Sequence, residues 1–566
     1  MASDRSTVLF HLFLLLALCG LLYFPYLGAT PFFDKGEPRE ALAVQDIVQR
    51  GEWLFPLKRA TAIPSKPPLF HWSAALTYQV TGELDEVTIR FPSALYATLG
   101  VLLVYWLGRR LFGAQIGFLG GAILATTMIY QNQALNARVD MTLGLFVTAS
   151  LVLFYALYRG LLGNPLWYFV LYGLVGLGTL AKGPLGILLP GLVIAVFLAL
   201  KQRWDLVLKF AFHPGVALAL IVIIGWYGLA ITRGGEGFVN RQLLSENLSR
   251  FFGGSGHSHP VYYYLGYLFT LALPWGLFLP FLLWDGFKKA WREGDDRLFL
   301  IVWFVVMFGF FSLAAGKRPV YLLPIYPALA LLLADWFHRQ VAGVGVRSIL
   351  FRGLAVFSAL TGVILLLIVF GDLWGHNLGW FFSPIESLLK PKDRANFLVV
   401  IRRLADFGWK LDLASALAAL LWFGLGYCLW HGRLRAAAQQ LVLLSVAIGF
   451  VTQGLILPEI AATKSYREFM SEVNRRVAPQ ERLLIYGDFN SDPVIFYRGQ
   501  TIEIDDRPLS EVAVKLTPGT GAVIMTEQSW QKIHELNAQV PAPLLRSAGK
   551  GPEGDAPLVL VLAKIS

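Results

Sequence analysis

Two acidic side chains stand directly after the first long apolar run of the sequence. The segment Phe-Phe-Asp-Lys-Gly-Glu-Pro-Arg, residues 32–39, places Asp34 and Glu37 between the cations Lys35 and Arg39. A carboxylate can orient an attacking hydroxyl or take its proton, which is general acid–base chemistry. These acids are therefore candidate catalytic residues.

A second set of candidates consists of cations beside Gly or Pro turns at the ends of apolar runs. Lys182 lies in Ala-Lys-Gly-Pro, and Lys317 and Arg318 lie in Gly-Lys-Arg-Pro-Val-Tyr. The set also contains Lys66, Arg90, Arg138, Arg250, His257 and His259. Cations gathered at one membrane face repel one another unless an anion lies between them. A phosphate or pyrophosphate fits, since Lys offers a point charge and Arg a bidentate fork.

Asp140 opens another apolar run and has two interpretations. Beside Arg138 it can be a helix cap or an ion-pair partner, or it can do acid–base work. His257 and His259 could bind zinc, but the surrounding segment lacks acids in metal-binding spacing. We therefore expect no cofactor, with a divalent metal at these histidines as the less favoured alternative.

The composition indicates what must position these residues. Of 566 residues, 56% are hydrophobic and 15% charged, and the mean hydropathy is +0.57. Such a chain is too apolar for a water-soluble globular protein and predicts a polytopic α-helical membrane protein. The net charge of +11 is spread over short clusters, which favours membrane topology and lipid headgroups over nucleic acid. Cys19 and Cys428 lie in apolar runs, so no disulfide framework is expected.

The apolar runs predict thirteen membrane spans, because a helix needs about 20 apolar residues to cross the bilayer. The spans are expected near residues 8–27, 91–108, 114–132, 140–158, 165–181, 183–200, 213–231, 261–284, 298–316, 319–337, 350–371, 411–430 and 437–457. The first of these is interpreted as an uncleaved helix and not as a signal peptide.

The positive-inside rule predicts a cytoplasmic N-terminus, since every inside loop is then basic. Residues 1–457 form a membrane catalytic domain in this interpretation, with outside loops 28–90, 232–260 and 372–410. The region 458–566 becomes a periplasmic domain.

Local patterns predict structure outside the membrane. The first loop contains two amphipathic stretches, Glu37–Arg50 and Pro67–Val80, which predict interfacial helices. Strand-like runs at 483–486, 522–525 and 558–562, separated by Gly, Pro and Asp, predict a small soluble α/β domain.

The order of the motifs resembles a known family. The bacterial branch of the protein mannosyltransferase and lipid A aminoarabinose transferase family, which has the GT-C fold, shows a similar series. The motifs are Ser-Lys-Pro (65–67), Arg90-Phe-Pro, Asp140, Ala-Lys-Gly (181–183), Glu246 with Arg250-Phe251, His257 with Pro260 and Tyr263-Tyr264, Leu273-Pro274-Trp275, and Gly-Lys-Arg-Pro-Val-Tyr-Leu-Leu-Pro (316–324). The resemblance covers residues 8–340 well and the later spans in hydropathy alone.

The resemblance implies transfer of a sugar from a polyprenyl-phosphate carrier to an acceptor outside the inner membrane, with inversion at the anomeric carbon. It implies that Lys66, Arg250 and the Lys317–Tyr326 region, which includes Arg318 and Tyr321, hold the carrier phosphate. The first-loop acid and Asp140 would lie beside the sugar and the acceptor.

The sequence departs from the family pattern at two positions. Gly36 stands where the family has the Asp of an Asp-Glu pair, which leaves Asp34 and Glu37 as alternative bases. Ser65 stands where aminoarabinose transferases have an acid, which weighs against a metal in this loop and against aminoarabinose as the sugar.

The presence of an acid in the first loop favours a hydroxyl acceptor on a glycolipid or polysaccharide, because a hydroxyl loses a proton as it attacks. An acceptor phosphate, which is already anionic, is the alternative. A protein O-mannosyltransferase shares this chemistry and differs in its acceptor. A lipid or polysaccharide transporter is the alternative from another class, and it predicts ionisable residues through the middle of the membrane.

Overall fold

A computed structural model describes residues 2–59, 62–63, 65–249, 258–286, 294–342, 349–373, 386–389, 394, 397–398, 401, 406–487, 489–549, 551 and 557–565. Two predicted site residues, Arg250 and His257, lie outside these described residues.

The chain divides into two compact units, each assembled from separate pieces of the sequence. The first comprises Met1–Tyr26, Ser65–Ser73 and Arg90–Thr452. The second comprises Leu27–Pro64, Ala74–Ile89 and Gln453–Ser566. Part of the first loop therefore belongs to the same unit as the C-terminal region.

The principal helices, in chain order, are α1 Ala2–Leu22, α2 Glu37–Arg50, α3 Leu69–Thr81, α4 Glu86–Phe112, α5 Ala114–Thr126, α6 Met128–Ala134, α7 Val139–Tyr158, α8 Leu166–Lys182, α9 Leu185–Leu200, α10 Trp204–Ala211, α11 Gly215–Phe238, α12 Tyr263–Leu271, α13 Asp295–Leu313, α14 Tyr326–Ala342, α15 Ile349–Leu373, α16 Trp409–Trp430, α17 Leu434–Gly449, α18 Leu457–Lys464, α19 Arg467–Arg476, α20 Asp492–Arg498, α21 Leu509–Lys515 and α22 Glu527–Leu536. Both helices predicted in the first loop are confirmed, as α2 and α3.

Within the described residues, nine helical segments are long and apolar enough to cross a membrane. A bent pair, Tyr263–Leu271 with Trp275–Trp284, adds a tenth. Three further apolar helices, α5, α8 and α9, are shorter. The chain is therefore a polytopic membrane protein, and the number of thirteen spans stays a prediction.

Helix α5 illustrates why the number is open. The sequence predicts a span over 114–132, but the helix ends at Thr126 because Thr127 is extended, with ψ 138°. Thirteen residues rise about 20 Å, less than the roughly 30 Å of a hydrocarbon core.

Helix α7 is a central element of the first unit, with 89% of its apolar window buried. The tight turn between α8 and α9 packs near it. Gly183 adopts φ 73° and ψ −151°, a backbone conformation that favours glycine. A Cβ on Gly186 would come within 2.1 Å of the Gly178 backbone, so only glycine permits this approach. The turn fixes Lys182, the last residue of α8.

In the second unit, residues within and next to helix α2 explain where the helix begins and ends. Pro38 occupies the first turn, Glu37 and Glu40 favour the positive end of the helix dipole, and Arg50 favours the negative end. Gly51 ends the helix in the left-handed conformation, φ 69°, and its N–H donates to the carbonyl of Ile47.

The C-terminal region contains a five-stranded sheet with the order β2-β1-β3-β5-β4. The strands are β1 Leu483–Tyr486, β2 Glu503–Asp505, β3 Leu516–Thr526, β4 Leu545–Arg546 and β5 Leu558–Ile565. Strands β2, β1 and β3 are parallel, and β5 runs antiparallel to β3 and β4. All four residues of β1 are buried, as expected for a strand covered on both faces.

Candidate functional site

The Asp140 carboxylate lies at the start of α7 and accepts a hydrogen bond from the Nζ of Lys182. The same ammonium lies 4.5 Å from the ring centre of Tyr321, in cation–π contact. These side chains line a small cavity of about 10 Å³. The structure thus joins three residues that the sequence predicted separately. Arg138 and Lys66 also act electrostatically on this carboxylate.

Lys66 forms an ion pair with Glu246, with Nζ and Oε2 2.6 Å apart. Both side chains are largely buried, at 11% and 15% exposure. Glu246 appeared in the family motifs but was given no role from the sequence, because its partner lies 180 residues away. An acid at the end of an apolar run was the only available signal.

Lys317 lies on the segment between α13 and α14 and is 2% exposed. Its Nζ donates to the carbonyl of His259 at 2.9 Å and to the carbonyl of Ala314. Among the described residues it has no acidic partner. Desolvation lowers the pKa of Lys317, but neutral carbonyls leave its positive charge uncompensated.

The segment carrying Lys317 is held by the residues that follow the middle loop. Ser258 pairs with Gly316 in an antiparallel bridge, and the His259 N–H donates to the Ala315 carbonyl at 3.3 Å. Further along, the Tyr264 hydroxyl accepts from the Arg318 N–H and donates to the Arg318 carbonyl, both at 3.1 Å. The backbone around Lys317 and Arg318 is therefore fixed on both sides.

Other predicted residues take different places. The ring of His259 is exposed and stacks on Tyr263, with centroids 4.2 Å apart. Tyr326 is 1% exposed, and its hydroxyl donates to the Leu268 carbonyl at 3.3 Å. Arg90 is buried at 1% exposure in α4, and Arg138 is the N-cap residue of α7. Tyr326 thus lies in the packed interior of the first unit, and its predicted role at the carrier phosphate stays a prediction.

In the second unit, the Asp34 carboxylate binds backbone N–H groups at the start of α2. Its Oδ1 accepts from the N–H groups of Gly36 and Glu37, each at 2.8 Å. Glu37 is the first residue of the helix and is 3% exposed. Arg39, predicted to bind substrate, forms an ion pair with its neighbour Glu40 at 3.0 Å. The two candidate acids therefore differ, because Asp34 organises the backbone that carries Glu37.

The C-terminal region holds the first loop through Asp492, the first residue of α20. This carboxylate is 2.6 Å from the Nζ of Lys58 and 2.5 Å from the Nη2 of Arg59. Arg59 has φ 55°, a strained conformation for a residue with a side chain. Burial lowers the pKa of Lys58, and the Asp492 carboxylate opposes that shift.

Tyr497 of the same helix makes a second connection. Its hydroxyl donates to Glu86 Oε1 at 2.7 Å and accepts from the Phe32 N–H at 2.8 Å. The ring of Phe32 also packs edge-on against Phe496. The backbone just before Asp34 is thus bound to the C-terminal region.

The fold and the buried charges together indicate which class of membrane protein this chain belongs to. The first unit is a bundle of apolar helices in which lysines meet carboxylates and backbone carbonyls at helix ends. In the described part of the chain, no three His, Cys, Asp or Glu side chains are grouped to hold a metal ion. Buried cations of this kind suit a polytopic membrane protein that acts on an anionic lipid-linked substrate.

Comparison with known proteins identifies the family. The family model described as dolichyl-phosphate-mannose-protein mannosyltransferase matches residues 65–227. The undecaprenyl phosphate-alpha-4-amino-4-deoxy-L-arabinose arabinosyl transferase 1 of Pseudomonas fluorescens Pf-5 is 30% identical over 398 residues, 67% of this chain and 71% of that protein. An uncharacterized protein of Aquifex aeolicus is 29% identical over 326 residues, 56% of this chain and 62% of that protein.

Among solved structures, ArnT from Cupriavidus metallidurans bound to undecaprenyl phosphate is similar, with a TM-score of 0.77 and 20% identity. The similarity covers 97% of each chain and shows a shared GT-C fold. This chain belongs to the family of undecaprenyl phosphate-aminoarabinose arabinosyl transferases. The family resemblance read from the motifs is confirmed.

Proposed function

We propose that the protein is an inverting glycosyltransferase that moves a sugar from undecaprenyl phosphate to a lipid A-type acceptor. The bond between the anomeric carbon and the phosphate oxygen breaks, and the phosphate leaves with the electron pair. The acceptor oxygen forms the new bond on the opposite face of the sugar and loses its proton to a carboxylate. Family membership and the named transferase relatives support this reaction.

The observation that carries the proposal is the buried ammonium of Lys317. Its described partners are two neutral carbonyls, so its charge is available to a phosphate. A fixed cation in a low-dielectric place stabilises charge that develops on a leaving group without having to reorganise. We assign to it the phosphate of the carrier, together with Arg318 and, outside the described residues, Arg250.

The two neighbouring ion pairs receive different roles. Lys66 and Lys182 are each matched by an acid, so they add donors with little net charge. We propose that Asp140 and Lys182 orient the sugar and that Lys66 contacts the phosphate, with Glu246 fixing its ammonium. Arg90, Arg138 and His259 complete the polar groups that we assign to this substrate.

For the first-loop acids we propose that Glu37 acts on the acceptor and that Asp34 positions it. Asp34 already accepts two backbone N–H groups, so its carboxylate is engaged in holding the start of α2. Glu37 sits in the first turn of the helix that Asp34 begins.

The proposal includes the topology. All thirteen apolar segments cross the membrane, with the short α8 and α9 included and α5 together with the adjoining α6, and the N-terminus lies in the cytoplasm. The loops at 28–90, 232–260 and 372–410 and the region 458–566 then lie in the periplasm. The basic residues between consecutive spans support this orientation.

The test is reconstitution of the purified protein with radiolabelled undecaprenyl-phosphate sugars and lipid A. We expect label to pass to lipid A with aminoarabinose or with another sugar of the panel. If the label passes to a polysaccharide or protein fraction instead, that fraction is the acceptor and the assignment of lipid A is wrong. Absence of transfer across the whole panel and all three acceptors would overturn the enzyme assignment.

A further inference from the structure

A groove of about 280 Å³ lies at one end of the first unit, between α5, α14 and α17. It is separate from the residues assigned to sugar transfer. Its floor is apolar and includes Ile116, Phe337 and Val442. Phe337 is 1% exposed and Ile116 6%, so the floor belongs to the packed interior of the bundle.

The rim of the groove is polar. Gln115 opens α5, Arg435 opens α17 one turn before Gln439, and His338 lies near the end of α14. All four side chains are exposed. None of the described residues that line the groove is acidic, so its electrostatic preference is for an anion.

Arg435 differs from three basic residues at other helix ends, Lys201, Arg297 and Arg339, which are paired with acids. Arg297 and Arg339 are both paired with the buried Asp335. Lys201 is paired with Asp295 at 2.7 Å. Within the described part of the chain, Arg435 has no acidic partner. The charges of Arg297, Arg339 and Lys201 are thus neutralised by the protein itself, whereas the charge of Arg435 is available to an external anion that enters the groove.

The surroundings of the groove indicate which kind of anion it takes. On α17, the helix that carries Arg435, Leu443 and Ile448 are about half exposed, as on a surface that faces acyl chains. A soluble anion would have no use for the apolar floor, whereas a lipid has both a charged head and a chain. In the proposed topology, on which this step rests, Arg435 lies at the cytoplasmic side, where basic pockets between transmembrane helices are typical binding places for anionic lipid headgroups.

We propose that this groove binds an anionic phospholipid. The headgroup phosphate pairs with Arg435, and Gln115, Gln439 and His338 are within reach to donate hydrogen bonds to its oxygens. One acyl chain lies along Ile116, Phe337 and Val442. The site is independent of the proposed sugar transfer and would anchor the junction of α5, α14 and α17.

The test uses the purified full chain in detergent, with phosphatidylglycerol or phosphatidylcholine added in steps and bound lipid counted by native mass spectrometry. We expect the wild type to prefer phosphatidylglycerol and Arg435→Gln to bind it about fivefold more weakly, as loss of one basic contact predicts. Arg435→Lys should retain most of the preference. Arg433→Gln is the matched control, since it removes the same charge two residues away, from an arginine that lies over the ring of Tyr427.

A second variant probes the chain part of the groove. Ala438→Leu fills its floor and should weaken binding of both lipids equally. Equal phosphatidylglycerol affinity in the wild type and Arg435→Gln would overturn the proposal, as would an equal loss in Arg433→Gln. Displacement of the lipid by millimolar inorganic phosphate in wild type and Ala438→Leu alike would also overturn it.

Discussion

Lys182 donates a hydrogen bond to the carboxylate of Asp140, which joins the end of α8 to the start of α7. Both side chains are mostly buried, at 9% and 13% exposure, and the lysine also covers the ring of Tyr321. An ion pair in such a place is stable only while both partners are present, because a lone buried charge is costly.

The first prediction concerns this pair. Lys182→Met should destabilise the protein by about 3 kcal/mol, since it removes the cation that is hydrogen-bonded to the buried Asp140 carboxylate and leaves only the more distant Arg138 and Lys66. The double variant Lys182→Met with Asp140→Leu should recover most of the loss. Thermal unfolding of the two single variants and the double variant measures the coupling. Additive effects would contradict a direct interaction.

The second prediction concerns Lys317. Lys317→Met should lower kcat/KM for the lipid-linked donor by at least about a hundredfold, because it removes a fixed charge from the leaving phosphate. Lys317→Arg should retain part of the activity. Lys532→Met is the matched control, since that lysine is exposed on α22. Tyr326→Phe should change kcat/KM little, because the Tyr326 hydroxyl donates its hydrogen bond to the Leu268 carbonyl.

The third prediction is a pH dependence. Desolvation lowers the pKa of Lys317 below its ordinary value of 10.5. Only the ammonium form attracts phosphate, so kcat/KM should fall as pH rises through this lowered pKa, where an ordinary lysine is still charged. Lys317→Arg should remove this alkaline decline, since arginine stays protonated. If kcat/KM declines identically in the wild type and in Lys317→Arg, the decline belongs to another titrating group.

The fourth prediction separates the first-loop acids. Glu37→Gln should lower transfer by about 10²–10⁴-fold if this carboxylate takes the proton. Asp34→Asn should keep transfer within a few-fold, because an amide oxygen can still accept from the N–H groups of Gly36 and Glu37. Asp34→Ala should cost about 1 kcal/mol of stability through loss of that turn. The opposite order of activities would make Asp34 the base.

The fifth prediction concerns Asp492. Asp492→Ala should cost about 3 kcal/mol and release the strained turn at Arg59, since it leaves two partly buried cations without their acid. Hydrogen exchange of the first loop should then speed up. Glu472→Gln is the control, because its pairs with Arg475 and Arg476 are on the surface and contribute little. If hydrogen exchange of the first loop is unchanged in Asp492→Ala, the turn at Arg59 is stable without Asp492.

Sequence patterns predicted the apolar helices well, because a membrane helix must be apolar along its length. They also located α2, whose signals lie within its own 14 residues. They could not assign Lys66 to Glu246 or Arg59 to Asp492, since these pairs are 180 and 433 residues apart. The burial of Tyr326 and its hydrogen bond to Leu268 could not be predicted either, because they depend on packing between separate elements. Its role at the carrier phosphate stays a prediction.

The composition of the second unit has a consequence for how the protein is made. Leu27–Pro64 shares a compact unit with Gln453–Ser566, so the first loop cannot complete its contacts while the ribosome is still adding the intervening membrane helices. The contacts with Tyr497 and Asp492 form late, because these two residues are synthesised more than 400 residues after their partners Phe32, Arg59 and Glu86. The backbone that leads into Asp34 therefore gains its contact with Tyr497 only after the C-terminal region has been synthesised.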